Sequence, residues 1–291
     1  MSLFEIQHEP QLHAPVMVGA LEGWVDAGSA GTTAAGQLAE HAETVAIFDA
    51  DAIFDYRVRR PSLDIVDGRP MRLEWATLTL SHAHIGGRDL LILRGAEPDY
   101  RWHELGADLV SLAKRFGVVS WVSLGSIPAA VPHTRQVPVL ATASASGLLP
   151  AGIKQGPDGL LRVPAAALSV LEVEMAAAGI PAIGLFAQVP HYINASYPAA
   201  SIALLTALGK FLDADVPMGA LATRALERRN QLDAAAAADA DTKAHVERLE
   251  LLADQSRLPE GDELIADIER FLRDRGGDGE PDGGSGGGRL H

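Results

Sequence analysis

Apolar runs and amphipathic stripes alternate along the chain. PVMVGAL (15–21) is a continuous apolar run, the pattern of a strand buried on both faces. EGWVDAGSAG follows as a loop and TTAAGQLAEHA as a helix, and TVAIFDA (44–50) reads as a second buried strand. This β-loop-α-β opening predicts a parallel sheet. SLDIV, DGR and PMRLEWATLTL then predict an antiparallel hairpin turning at Asp67-Gly68, an insertion that makes the sheet mixed. Gly86-Gly87 marks a further turn before the strand DLLILRG (89–95). Leu105, Leu109, Leu112 and Phe116 recur at helical spacing over 102–117, with Gly117 as the stop.

The rest of the body repeats the alternation. VVSWVSL (118–124), VPVLATA (137–143) and PAIGLFA (181–187) predict strands. The segments 163–179 and 198–214 predict helices, the first with Pro164 near its start and Gly179 at its end. The implied fold is α/β: a three-layer αβα sandwich with a mixed, largely parallel sheet. Beyond Val216 no strand pattern remains. MGALATRALERRNQLDAA, ADTKAHVERLELLADQ and GDELIADIERFLRDR predict a C-terminal helical extension, packed on the body or on a second subunit. The organisation expected is therefore an α/β domain over 1–216, the extension over 217–275 and a disordered Gly-rich tail over 276–291.

Composition narrows the function. The formal charge is −14, from 24 Lys and Arg against 38 Asp and Glu, which disfavours nucleic acid and anionic membranes as partners. Cysteine is absent, so disulfides, thiolate catalysis and Cys-ligated metals are excluded, and a cytoplasmic location is expected. The N-terminus lacks the basic-then-apolar pattern of a signal peptide, and no run is long and apolar enough to span a bilayer.

In a sheet with parallel strands, ligands sit beyond the carboxyl ends of the strands. Four loops leave such ends: 22–31, 94–101, 125–135 and 188–198. They carry Glu22, Asp26, Arg94, Glu97, His133, Arg135 and His191, together with Gly28 and Gly31. Arg94, Glu97, Arg135, Asp26, Gly28 and Gly31 are candidates for binding a ligand or anion. His133, Glu22 and His191 are candidates for moving a proton, with Arg135 expected to hold a neighbouring His133 neutral. VPHTR (131–135) and VPHYI (189–193) each follow an apolar run, so their histidines face one crevice if the two strands are adjacent.

The complete catalytic and cofactor motifs are missing. Gly23, Gly28 and Gly31 followed by Asp49 imitate a dinucleotide fingerprint, but the Gly-x-Gly spacing is absent and Glu22 and Asp26 oppose phosphate. Gly125-Ser126 lacks the second half of a nucleophile elbow. His82 and His84 share one strand face, with no third metal ligand evident in sequence. Neither cofactor nor metal is expected.

Taken together, LEGWVDAGSAGTTAAGQL, VAIFDADAIFDYRVRRP, LLILRGAEPDYRW, GSIPAAVPHTR and VPHYI resemble the PAC2 family, the relatives of proteasome assembly chaperone 2, in its actinobacterial branch. The resemblance spans roughly residues 1–255 and rests on the order and spacing of the segments. It implies a phosphorylase/hydrolase-like α/β core, a C-terminal helical extension and homo-oligomers. For archaeal and eukaryotic relatives it implies binding to proteasome α-subunits; for the bacterial branch it implies no settled activity and no assigned catalytic residues. The chain ends Arg289-Leu290-His291, without the hydrophobic-Tyr-any ending by which such chaperones grip the proteasome. The leading expectation is a non-catalytic protein-binding or assembly factor. The alternative is a small-molecule hydrolase or phosphorylase-like enzyme using a crevice around His133 and Arg135.

Overall fold

Side chains along 16–22 alternate between two apolar layers: Val16, Val18 and Ala20 enter one core, Met17 and Leu21 the other. That strand is buried on both faces because helices cover both. The computed structural model describes residues 2–157 and 159–255. In chain order the elements are β1 (Phe4–Ile6), β2 (Val16–Glu22), α1 (Ala30–Leu38), β3 (Glu43–Phe48), α2 (Ala50–Ile53), β4 (Ser62–Val66), β5 (Arg69–Glu74), β6 (Leu78–Ile85), β7 (Arg88–Ala96), α3 (Trp102–Phe116), β8 (Ser120–Ala129), β9 (Val139–Ala143), β10 (Lys154–Gln155), α4 (Ala167–Ala177), β11 (Ala182–Pro190), α5 (Pro198–Leu212), α6 (Leu221–Ala238) and α7 (Ala240–Gln255).

Nine strands form one sheet in the order β1-β3-β6-β7-β2-β8-β11-β9-β10. The central four, β7-β2-β8-β11, are mutually parallel. β6 returns antiparallel to β7 through the Gly86-Gly87 turn, and β3 and β1 continue antiparallel on that side. β9 lies antiparallel to β11 on the other. One core packs α1 and α5 on the sheet, with Val122, Leu185 and Leu204 at its centre. The opposite core packs α3 and α4, with Leu105, Leu109, Trp121 and Leu171. Each large side chain so buried contributes roughly 1.5–3 kcal/mol. The three-layer α/β fold is the one the alternation predicts.

Two local expectations change. β3 does not pair with β2; it joins β6 antiparallel, so the opening is not a parallel β-α-β unit. The mixed character comes from β6, β3, β1 and β9, whereas β4 and β5 form a separate two-stranded ribbon. Its turn is at Asp67-Gly68, both at positive φ (49° and 76°), which suits the twist of a two-residue hairpin. Leu63 pairs with Leu73 on one ribbon face, and Asp64 with Arg72 on the other. All eleven residues of β4 and β5 are exposed, so the ribbon's apolar face is left uncovered among the described residues.

α6 packs on α5, and α7 on α6. Leu221 of α6 joins the core beneath α1 and α5, and Val246 and Leu249 of α7 are also buried. The third helical stretch and the Gly-rich tail of the sequence reading lie outside the described residues.

Candidate functional site

β8 and β11 run side by side with Ala129 opposite Pro190, so VPHTR and VPHYI leave one rim of the sheet together. Tyr192 stands between their histidines, its ring centroid 5.8 Å from that of His133 and 5.6 Å from that of His191. The Tyr192 hydroxyl accepts the His133 backbone N–H at 2.8 Å and lies 2.7 Å from His133 Nδ1. His133 Nε2 is 3.1 Å from Asp233 Oδ1 of α6. These contacts select one neutral tautomer: Nε2–H donates to Asp233, and Nδ1 accepts from the tyrosine.

The guanidinium beside His133 is Arg229, not Arg135. Arg229 Nη1 donates to the His133 carbonyl at 3.0 Å, and its Nε lies 2.9 Å from both Asp233 oxygens. Arg135 turns outward to α7, where it holds Asp254 at 2.9 and 2.8 Å and Glu250 at 3.3 Å. Thr134 also donates to Glu250. Burial pushes the His133 pKa down, and the Arg229 charge adds to that against the opposing pull of Asp233. Burial likewise raises the Tyr192 hydroxyl. His191 is exposed; its Nδ1 lies 3.2 Å from the Ala129 carbonyl and its ring 5.3 Å from that of His245 on α7.

The glycine loop is built from the inside. Asp26 Oδ1 accepts the backbone N–H groups of Gly31 (2.8 Å) and Thr32 (3.2 Å), and Oδ2 accepts the Thr32 hydroxyl at 2.5 Å. The first amides of α1, which an external anion would use, are thus held by the chain's own carboxylate. Burial raises the pKa of Asp26 despite those bonds. A Cβ on Gly31 would stand 2.6 Å from the Leu124 carbonyl, so its absence admits the close approach of α1 to β8. Gly28, at φ 62°, lies against Tyr197, whose N–H donates to the Gly28 carbonyl at 2.9 Å.

Glu97 is 8% exposed and ties two segments together. Oε2 accepts the Trp24 N–H at 3.0 Å and Oε1 the Ala167 N–H at 2.7 Å, fixing the first loop to the start of α4. Glu22 is exposed, and its carbonyl accepts the Glu97 N–H at 2.9 Å. Arg94 lies on β7, separated from β8 by β2, and does not share the neighbourhood of His133. His82 and His84 both lean on one carboxylate, Asp89, at 3.2 and 2.8 Å. Among the described residues no group of three His, Asp or Glu is arranged to hold a metal ion.

The structure therefore joins His133 and His191 through Tyr192 and adds residues that sequence reasoning did not single out: Arg229, Asp233, Glu250 and Asp254. The available signal was the i,i+4 spacing of Arg229 with Asp233 and of Glu250 with Asp254, which puts each pair on one helix face. An open cleft of about 910 Å³ adjoins this seam, between residues 130–139, α5 and the α6–α7 hairpin; Lys154, Gln188 and Lys210 face it alongside Arg135 and Arg229.

The PAC2 family model matches residues 20–236, from the glycine loop into α6. The chain belongs to the PAC2 family. Protein Rv2714 of Mycobacterium tuberculosis is 34% identical, with 87% of this chain and 91% of that one covered at a TM-score of 0.82. The proteasome-assembly chaperone homologue Rv2125 of the same organism is 33% identical, with 79% and 99% covered at a TM-score of 0.71. The archaeal proteasome activator PbaB of Pyrococcus furiosus shares the fold at 18% identity, with 80% and 97% covered and a TM-score of 0.63. No curated protein matches the chain. No helix among the described residues is long and apolar enough to cross a membrane.

Proposed function

We propose that this PAC2 protein is a non-catalytic assembly factor or adaptor that works as a cytoplasmic homo-oligomer and engages proteasome subunits. The observation that carries the reading is the division of labour at the strand-end rim. Asp26, Glu97, His133 and Arg135 are spent on internal contacts, while large apolar side chains face outward. Trp24, in the loop after β2, is 67% exposed, and Tyr100, in the loop after β7, is exposed as well. Exposed apolar area rimmed by polar groups is the mark of a protein-binding surface. The kinship with Rv2125 adds weight, since that protein is a proteasome-assembly chaperone homologue. The uncovered apolar face of the β4–β5 ribbon suits a second copy of the chain. Residues 62–74 hold three acids and two arginines, so copies meeting there avoid most of the repulsion of a −14 chain.

The test is co-sedimentation of the purified chain with purified proteasome α-rings. Binding that weakens when Trp24 and Tyr100 are both replaced by Ala is expected. Absence of a complex at micromolar concentrations and low salt would refute the proteasome reading.

The enzyme alternative has the 910 Å³ cleft beside His133 and Arg135 in its favour. It requires hydrolytic or phosphorolytic turnover that His133→Ala abolishes; turnover unchanged in that variant would remove His133 from the mechanism.

A further inference from the structure

The α6–α7 hairpin is held to the loops after β8 and β11 by a seam of polar contacts. Besides His133–Asp233, Arg229–His133 carbonyl, Arg135–Asp254 and Thr134–Glu250, Arg228 Nε donates to the Ser196 carbonyl at 3.0 Å. Arginine side chains stay charged at every accessible pH, and carboxyl groups as a class titrate well below histidine. The imidazoles at this seam are those of His133, His191 and His245. His133 alone is enclosed: its side chain is 1% exposed.

Protonating that ring changes the local bonding. The neutral ring accepts the Tyr192 O–H at Nδ1 and donates Nε2–H to Asp233. A proton on Nδ1 removes the acceptor for the half-buried Tyr192 hydroxyl, which already accepts the His133 backbone N–H. It also places a cation in a desolvated site next to Arg229. Asp233 offers limited compensation, because its side chain is 47% exposed and already engages Arg229. Glu250, from α7, is the other acid near the ring, and it is committed to Thr134 and Arg135.

We propose that His133 is a pH-operated pin: neutral, it fastens the α6–α7 hairpin to the strand-end loops, and in mild acid it loosens that hairpin while the sheet stays folded. The geometry that carries this is a wholly enclosed imidazole bonded at both nitrogens across two parts of the fold. The downward displacement of its pKa agrees in sign. The proposal is independent of what the protein binds.

Hydrogen exchange of the full-length chain tests it, with exchange rates corrected for their intrinsic pH dependence. Between pH 7.5 and 5, protection over 221–255 is expected to fall while β2, β7 and β8 keep theirs. His133→Phe, which cannot titrate, should show no pH-dependent difference. Equal native protection over 221–255 at both pH values overturns the proposal. So does a native loss that persists with the same midpoint in His133→Phe, which would assign the effect to His191 or His245. Should that variant not fold, NMR titration of His133 in the native chain decides. A midpoint coinciding with the loss of protection supports the pin, and a midpoint at or above the ordinary histidine value refutes it.

Discussion

Gly184 makes the space into which the Glu172 carboxylate descends. Ser123, Gly184 and Thr142 form one row across β8, β11 and β9, and Glu172 reaches down from α4 onto the bare middle position. A Cβ there would stand 2.7 Å from Glu172 Oε2 and 2.5 Å from Thr142 Oγ1. Thr142 donates to Glu172 Oε1 at 2.6 Å, while burial raises the carboxyl's pKa. Gly184→Ala should therefore force this group aside and lower stability by about 1–3 kcal/mol, read as a fall in Tm. An unchanged Tm would mean that Glu172 swings out at no cost.

Glu97→Gln should destabilise the chain although it changes only one atom. The carboxylate accepts two backbone N–H groups, and an amide turns one acceptor into a donor facing a donor. The loss expected is about 1–3 kcal/mol, the cost of an unsatisfied buried group, and a denaturant titration measures it. A midpoint equal to the native one would remove Glu97 from its structural role.

Asp89 predicts a pH dependence with a definite sign. Partial burial pushes its pKa up, but hydrogen bonds from His84, the His13 backbone and His82 outweigh that and bring it down to about 2. A carboxyl depressed in the folded state gives stability that is complete above its unfolded value near 4 and fades as pH falls toward 2. The stability difference between the native chain and Asp89→Asn should accordingly shrink across that window. A difference that stays constant from pH 5 to 2 would contradict the arrangement.

The ribbon predicts a separation of stability from association. Ile65 is 62% exposed and packs on no core, so Ile65→Lys should leave Tm within the small range of surface substitutions. The same change should shift the chain toward monomer in analytical ultracentrifugation. A drop in Tm with no shift in mass would mean that the ribbon serves the protomer and not its assembly.

Much of the fold was legible because burial on both faces leaves unbroken apolar runs, and those of β2, β7, β8 and β11 are the four parallel strands. β3 was misread because an apolar run shows neither which neighbour it pairs with nor that half of its residues, Ile47 among them, stay exposed. β1, α2 and β10 are two to four residues long, too short for periodicity to register. The site was half legible. The spacing of VPHTR and VPHYI brought His133 and His191 to one rim. Which guanidinium met the imidazole depended on a helix a hundred residues away, where Arg229 and Asp233 look like any i,i+4 surface pair. Likewise the acids at 26 and 97 read as chemistry in sequence, yet each is aimed at backbone amides that only the fold supplies.

The sheet ends in fragments on both sides: β1 contributes three residues and β10 two. So short a border offers another chain almost no main chain to pair with, and the nine-stranded sheet is sealed against growth by strand addition. A second copy of this protein brought against that border would meet side chains rather than a free strand.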